Sequence, residues 1–314
     1  MLIKDTKVYA VLSKFDRYEQ NRCRKYIQSP YFNINKQLNQ LYEIIINDIN
    51  KPPKKLLTKP SIWKKLYDPR KYDDTRFRKL SSDLLKLVEG YLAQQFYDSQ
   101  PLIPATNLIK SVERKKIHDL YDTSIRSAKN ISHKNKSLSA IFFYQQYKIE
   151  DYIFEVIDYE SKRDTKSNYE DIMYNLDQFF LSEKLRLYCG VLSRRHMSVH
   201  EYSINFIKEV LAYVENNLNH VAKNVEIYYR IYLTYTDEDN VENYYSLKKL
   251  LNEFSASFQE EEAYHLYLQV INFCIKRIQN GMNDFWQEMF DISVDMISKN
   301  IIYENGLLSP SVFK

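Results

Sequence analysis

The sequence predicts an all-α protein with a basic N-terminal helical module, residues 1–100, followed by an α-solenoid-like array of antiparallel helix hairpins, residues 101–314. Between Ala105 and Ser309 the chain has no proline and only three glycines, and strands depend on turns that these two residue types mostly supply. In the same stretch, apolar residues recur every three or four positions, which is the helical period. Charge separates the two regions, because residues 1–90 carry 20 Lys and Arg against 10 Asp and Glu, whereas the rest carries 25 against 31.

Composition excludes several classes of protein. Four glycines in 314 residues are far below the usual share of about 7%, which argues against Rossmann, P-loop and β-barrel folds, because these use glycine in tight turns and phosphate loops. The three cysteines form no C-x-x-C pair, so zinc ribbons and thioredoxin-type motifs are excluded. We expect a reduced, cytoplasmic protein with no signal peptide, no membrane span and no cofactor.

Helix-capping patterns place the elements of the basic module. A short apolar stretch, Val8–Ser13, predicts a lead-in helix. Asp16 and Glu19 have the spacing of a capping box, which predicts a helix from Arg17 to about Gln28. Further helices are expected at about 36–49, 58–67 and 74–95, and the prolines at 101 and 104 mark the boundary of the module.

Hydrophobic periodicity places the helices of the array. They are expected near 105–128, 136–163, 169–180, 182–196, 200–218, 222–236, 240–255, 259–280 and 284–299. Glu260, Glu261 and Glu262 open one of them, and we interpret these carboxylates as charge that is favourable at the positive end of a helix.

Starts near residues 169, 200, 240 and 284 are some 31 to 44 residues apart, which overlaps the spacing of helical repeats. This part of the chain resembles a divergent tetratricopeptide-type α-solenoid, and the resemblance implies a non-catalytic scaffold that binds a partner protein or peptide. Ser309 and Pro310 are typical of the start of a further helix that stops after less than two turns, so we expect the array to be incomplete at its C-terminal end.

A stripe of tyrosines is the candidate peptide-binding surface of the array. Its members recur at helical spacing and are Tyr228, Tyr229, Tyr232 and Tyr235. Tyrosine rings offer contact area and a polar tip at low entropic cost. The alternative, which we prefer, is that these rings fill contacts between helices.

The segment Leu57–Gly90 is the candidate nucleic-acid-binding element. A short helix, Ile62–Tyr67, ends in an aromatic residue, an acidic turn follows at Asp73 and Asp74, and Arg76 opens a longer helix rich in arginine and lysine. This pattern resembles the helix–turn–recognition-helix part of winged-helix modules in bacterial transcriptional activators, which are also followed by helical repeats.

The winged-helix resemblance implies contacts with phosphates or base edges. The cations that would make them are Lys64, Lys65, Arg70, Lys71, Arg76, Arg78 and Lys79. Residues 91–97 are predicted to continue the helix, where a winged-helix module has a pair of strands. The alternatives are a solvated basic face, or docking of this face on the acidic array.

No pattern of residues indicates a catalytic or metal centre. His196 and His200 have the spacing of helical metal ligands but lack the glutamate of zinc proteases, and we interpret them as surface residues. Cys189 and Cys274 lie within apolar periodicity, which predicts core positions. The leading hypothesis is therefore a non-catalytic helical scaffold. The alternative is a nucleic-acid-binding regulator that uses residues 57–90, and an enzyme without a recognisable motif is third.

Overall fold

The structure, a computed structural model, is all-α, as predicted. It describes residues 2–51, 56–157, 166–194, 202–237, 239–258, 260–304 and 307–308. The chain divides into two compact units, Met1–Pro101 and Leu102–Lys314. None of the helices described here combines the length and the apolar character that crossing a membrane requires.

Five α-helices are described in the first unit. They are α1 (Lys7–Leu12), α2 (Arg17–Gln28), α3 (Lys36–Asn50), α4 (Lys59–Tyr67) and α5 (Asp74–Ser99). The other four helices all pack against α5. Side chains at helical spacing form the core, and Leu41, Ile62, Phe77 and Leu84 are completely buried in it.

Side-chain caps fix where these helices begin. The Asp16 carboxylate accepts a hydrogen bond from the Glu19 backbone N–H at 2.8 Å, and the Glu19 carboxylate accepts one from the Asp16 N–H at 3.0 Å. This reciprocal pair satisfies two N–H groups that have no partner inside the helix. The predicted bounds of α2 are therefore confirmed. Thr58 and Ser61 form the same reciprocal pair at the start of α4, whereas at the start of α5 the Asp73 carboxylate accepts a hydrogen bond from the Arg76 N–H. Helix α5 continues through the predicted residues to Ser99.

Nine α-helices and a short strand pair are described in the second unit. They are α6 (Leu102–Arg114), α7 (Tyr121–Lys134), α8 (Ala140–Val156), α9 (Tyr169–Arg194), α10 (Ile207–Asn216), α11 (Lys223–Thr236), α12 (Val241–Phe254), α13 (Glu260–Gln279) and α14 (Phe285–Ser298), with antiparallel strands β1 (Tyr303–Glu304) and β2 (Leu307–Leu308). Helix α8 packs on α9, α9 on α11, α11 on α12, α12 on α13 and α13 on α14. The packing therefore forms an α-helical array.

The prediction of a single helix over 105–128 is wrong, because two helices, α6 and α7, occupy this region. Helix α6 ends in a Schellman motif, in which the Ile117 N–H donates to the Val112 carbonyl at 3.0 Å and Lys116 has φ of 53°. Glycine is the usual residue at such a left-handed position. A lysine there gives no sequence signal, and the end of α6 was therefore not predictable from residue type.

Two further boundaries differ from the prediction. The break expected between 180 and 182 does not exist, because Leu181 and Leu185 are buried on one continuous face of α9. Helix α10 begins at Ile207, seven residues later than expected, after Phe206 with φ of 60°. The proposed helix start at residues 309 and 310 lies outside the described residues.

Candidate functional site

The seven cations of the candidate nucleic-acid-binding element are all exposed. Lys64 and Lys65 lie at the end of α4, Arg70 and Lys71 in the connection, and Arg76, Arg78 and Lys79 in the first turns of α5. The connection is held in place by Trp63, whose indole N–H donates to the Arg70 carbonyl at 3.2 Å. These seven side chains are therefore presented from one helix–turn–helix element.

Two of the seven cations have an acidic partner nearby. The Arg76 guanidinium lies 3.4 Å from the Asp73 carboxylate, and the Arg78 guanidinium lies 2.7 Å from the Asp74 carboxylate. Exposed ion pairs of this kind contribute little to stability. They still reduce the positive potential at the start of α5, so Lys64 and Lys65 are better placed to attract a phosphate.

The tyrosine stripe of α11 lies largely inside the second unit. Tyr228 and Tyr229 are 5% and 4% exposed, and Tyr232 and Tyr235 are half-buried. The Tyr228 hydroxyl donates to the Glu262 carboxylate on α13 at 2.8 Å, and the Tyr235 hydroxyl donates to the side-chain oxygen of Gln269 on the same helix. These contacts join α11 to α13, and peptide binding by the stripe stays a prediction.

Beside this tyrosine contact, the second unit contains a cavity of about 540 Å³, which we call the Gly190 cavity. Its lining comes from the start of α8, from α9, from α11 and from α13, and consists of Ser139, Ala140, Ile141, Glu183, Arg186, Cys189, Gly190, Ser193, Arg194, Tyr228, Glu262, His265, Leu266 and Gln269. This volume is within the range of small-ligand sites, about 300–1,000 Å³. Both carboxylates and both arginines of the lining come from α9 and α13, which sequence spacing does not bring together.

Glu262 is a half-buried carboxylate of this cavity. Burial raises the pKa of its carboxyl group, while the hydrogen bond from Tyr228 and the charge of Arg186 act in the opposite direction. Arg186 is itself held by Glu183, with its Nε 3.0 Å and its Nη2 2.7 Å from the two carboxylate oxygens. In the described part of the chain Glu262 forms no ion pair. The donor of its hydrogen bond is the neutral Tyr228 hydroxyl.

The outer face of α14 is the second candidate surface. Four large apolar side chains point away from the core on this helix, and they are Trp286, Phe290, Val294 and Ile297, exposed by 55%, 63%, 46% and 48%. They follow one another at three or four residues and therefore lie on one side of the helix. We call this surface the α14 face. The opposite side buries Phe285, Ile292 and Met296.

Acidic residues flank the α14 face. Helix α14 has three acidic residues and no lysine or arginine. Glu288 accepts hydrogen bonds from Tyr244 and Lys248 of α12, whereas Asp291 lies 4.0 Å from Lys248 and is exposed. Asp295 is paired with Lys299 at 2.8 Å, so the acidic edge of this apolar surface consists of the exposed Asp291.

The predicted cysteine and histidine positions contribute no reactive centre in the described residues. Cys189 and Cys274 are buried, as predicted, and burial raises the pKa of both thiols. His196 and His200 lie outside the described residues. Within the described part of the chain, no three His, Cys, Asp or Glu side chains gather where they could hold a metal ion.

No protein-family model, curated protein or solved structure matches this chain. Sequence reasoning missed both the Gly190 cavity and the α14 face. The sequence did contain a signal for the α14 face. Apolar residues recur on two sides of the helix 285–298, and one packed layer of helices can cover only one of these sides. The cavity had none, because its walls come from four helices distant in sequence.

Proposed function

We propose that this chain is a non-catalytic α-helical scaffold that binds a partner protein through the α14 face. The observation that carries the proposal is the row of four exposed apolar side chains on one helix. Contiguous exposed apolar surface rimmed by polar residues is typical of protein interaction sites. The resemblance to tetratricopeptide-like scaffolds belongs to this proposal, and the successive packing of α11 to α14 supports it.

The size of the α14 face supports a specific contact. Full burial of a large apolar side chain contributes about 1.5–3 kcal/mol, and aromatic residues such as Trp286 and Phe290 are frequent anchors of interfaces. These four side chains are already about half-buried, so their remaining burial contributes about half of that value each and together reaches the lower end of the association cost, about 4–15 kcal/mol. Removal of the two aromatic rings should therefore abolish most of the affinity.

The acidic edge of the α14 face defines the chemistry of the partner. Asp291 is exposed between Phe290 and Val294 in sequence, and α14 has no basic residue. Charge complementarity favours a partner helix whose apolar side is flanked by Lys or Arg, since opposite charges at the rim speed encounter and set register. A second copy of this chain would instead place two acidic edges together.

A fluorescence anisotropy titration tests this partner chemistry. The full chain is titrated against a labelled amphipathic helical peptide with leucines on one side and flanking lysines, and against the same peptide with flanking glutamates. We expect the lysine peptide to bind at least tenfold more tightly. Trp286→Ser with Phe290→Ser should weaken that binding at least tenfold.

The matched control removes two exposed apolar residues of the first unit, Tyr31 and Ile34, which are 87% and 90% exposed. Tyr31→Ser with Ile34→Ser should leave the affinity unchanged. Equal affinity for the two peptides, or equal loss in both double variants, would overturn the proposal. Sedimentation velocity of the full chain tests whether a second copy of this chain is the partner. Dimerisation that Phe290→Ser abolishes would identify a second copy as the partner.

A second candidate function is nucleic-acid binding through the element that contains α4 and α5. The observation that favours it is the exposure of all seven cations. Exposed lysines on one helix–turn–helix element supply the counterion-releasing contacts on which non-specific binding depends. This function uses the first unit and is compatible with protein binding by the second.

A further inference from the structure

Gly190 is an unusual residue for its position in α9. It lies in the interior of a helix of 26 residues, where glycine destabilises the helix relative to alanine. A Cβ atom built at Gly190 would meet no other atom within 4 Å. Packing inside the chain therefore does not require glycine here, in contrast to Gly90, where an added Cβ would come within 2.7 Å of the Tyr26 hydroxyl.

The space beside Gly190 belongs to the Gly190 cavity. Glycine permits close approach of a ligand to the helix backbone, which any side chain would prevent. The same wall includes Ser193, whose hydroxyl donates to the Gly190 carbonyl at 3.0 Å and so lies along the helix surface. The helix wall of the cavity is thus kept open at the position where a side chain would otherwise project.

One carboxylate of the cavity, Glu262, can accept a hydrogen bond from a cationic occupant. Glu262 has a neutral hydroxyl as its hydrogen-bond donor, and the neighbouring Arg186 is already engaged by both oxygens of Glu183. A carboxylate that is partly removed from water gains most from a charged donor. The lining also carries two arginines, of which Arg186 is held by Glu183 and Arg194 is exposed at the rim, so Glu262 is left for a cationic group of the occupant.

A guanidinium group fits this arrangement better than an ammonium group. Its planar fork can donate two parallel hydrogen bonds to the Glu262 carboxylate, and its weaker hydration lowers the cost of leaving water. The apolar lining, which includes Ala140, Ile141 and Leu266, can cover the methylene stem that carries the group.

We propose that the Gly190 cavity binds a guanidinium group on an aliphatic stem, with Glu262 as its anionic partner and Gly190 leaving room for the stem. The group can come from an arginine residue of a peptide or from a free arginine derivative. This site is separate from the α14 face in residues and in chemistry, so each of the two proposals can fail without the other.

Isothermal titration calorimetry of the full chain with small probes tests the site. The probes are L-argininamide, L-lysinamide and the uncharged isostere L-citrullinamide. We expect argininamide to bind at least tenfold more tightly than citrullinamide and more tightly than lysinamide. An acetylated, amidated peptide with one arginine identifies the source, since tighter binding of this peptide than of argininamide indicates a peptide ligand and the reverse indicates a free small molecule.

Variants of the cavity complete the test. Gly190→Leu and Glu262→Gln should each weaken argininamide binding at least tenfold. Gly190→Ala should weaken it while raising the melting temperature, because alanine is the better helix former and its methyl group meets no atom. This combination separates a blocked site from a damaged fold.

Controls on α9 outside the cavity are Glu170→Gln, which removes an exposed carboxylate, and Met173→Ala, which shortens an exposed side chain. Both should bind argininamide like the unmodified chain. Equal binding of argininamide and citrullinamide, no binding of either probe, or unchanged binding by Gly190→Leu would overturn the proposal.

Discussion

The Tyr244 hydroxyl donates a hydrogen bond to the Glu288 carboxylate at 2.8 Å and so joins α12 to α14. The same type of contact recurs where Tyr228 meets Glu262 and where Tyr267 meets Asp295. In each case a buried ring fills the space between helices and its hydroxyl reaches a carboxylate on another helix. Part of the high tyrosine content, 28 in 314 residues, therefore holds the array together.

Tyr244→Phe should destabilise the second unit. The substitution keeps the buried ring and removes one hydrogen bond to a charged group, which contributes about 1.5–3 kcal/mol. Glu288 keeps Lys248 as a partner, so we expect a loss at the lower end of this range. Urea unfolding measures it. The control is Tyr245→Phe, since Tyr245 is 46% exposed, and a similar loss in both variants would contradict the role of the Glu288 contact.

Stability should fall as the pH rises above about 10. Burial raises the pKa of Tyr235 to about 12 and, together with Asp48, that of Tyr9 to about 12, from a usual value of 10.0. Between these values the folded chain binds more protons than the unfolded chain, so its free energy of unfolding decreases with increasing pH. The raised pKa of the Lys299 ammonium acts in the same direction.

Urea unfolding from pH 8 to pH 11, with tyrosinate absorbance recorded in the folded and the unfolded chain, checks this dependence. Folded and unfolded chains that titrate together would contradict it. This pH range spans the ordinary pKa of tyrosine, about 10.

Glu262→Gln should stabilise the chain at neutral pH and have little effect in acid. Burial raises the pKa of Glu262 from its usual value of 4.5, so the folded state favours the protonated carboxyl, and this contribution is lost as the pH rises above 4.5. Glutamine keeps an acceptor for the Tyr228 hydroxyl and carries no charge. Its advantage should therefore appear only above pH 4.5.

Differential scanning calorimetry of both chains between pH 3.5 and pH 7 measures the Glu262 effect, and this range brackets the usual carboxyl pKa of 4.5. Glu170→Gln is the control, because its carboxylate is exposed and pairs with Lys166 at 2.7 Å. A Glu262→Gln chain that is less stable than the unmodified chain at neutral pH would show that the carboxylate is stabilised by its charge.

Lys64→Ala with Lys65→Ala tests nucleic-acid binding by the first unit. Each lysine that contacts a phosphate contributes about 1 to the slope of log affinity against log salt, so the double variant should lower that slope by about 2. Anisotropy titrations of the full chain with duplex and single-stranded oligonucleotides at two salt concentrations measure the slope. Lys208→Ala with Lys249→Ala removes two exposed lysines of the second unit as a control. No binding at low salt would exclude this function.

Local signals in the sequence predicted helices well where the chain supplies caps. The Asp16–Glu19 capping box located the start of α2, and the helix expected from residue 58 agrees with the Thr58 cap of α4. The end of α6 escaped prediction because Lys116 adopts a left-handed conformation that its residue type does not indicate. Local patterns therefore sufficed for helix starts that carry a side-chain cap and failed at the starts of α7 and α10, which carry none.

The candidate sites depend on long-range packing and were less predictable. Glu262 was interpreted as one of three carboxylates at a helix start, and α13 does begin at Glu260. The position of Glu262 in the Gly190 cavity, together with Arg186, depends on the packing of α9, α11 and α13. Helical periodicity identifies the side of a helix that is buried but not the helix that covers it.

The core of the first unit has a consequence for synthesis. All of its buried apolar residues lie between Ile3 and Tyr91. Domains generally fold as units during translation, the N-terminal one first. Every residue of this core has therefore left the ribosomal exit tunnel well before translation reaches the end of the array. A nascent chain can complete this packing while the helices that follow are still being made.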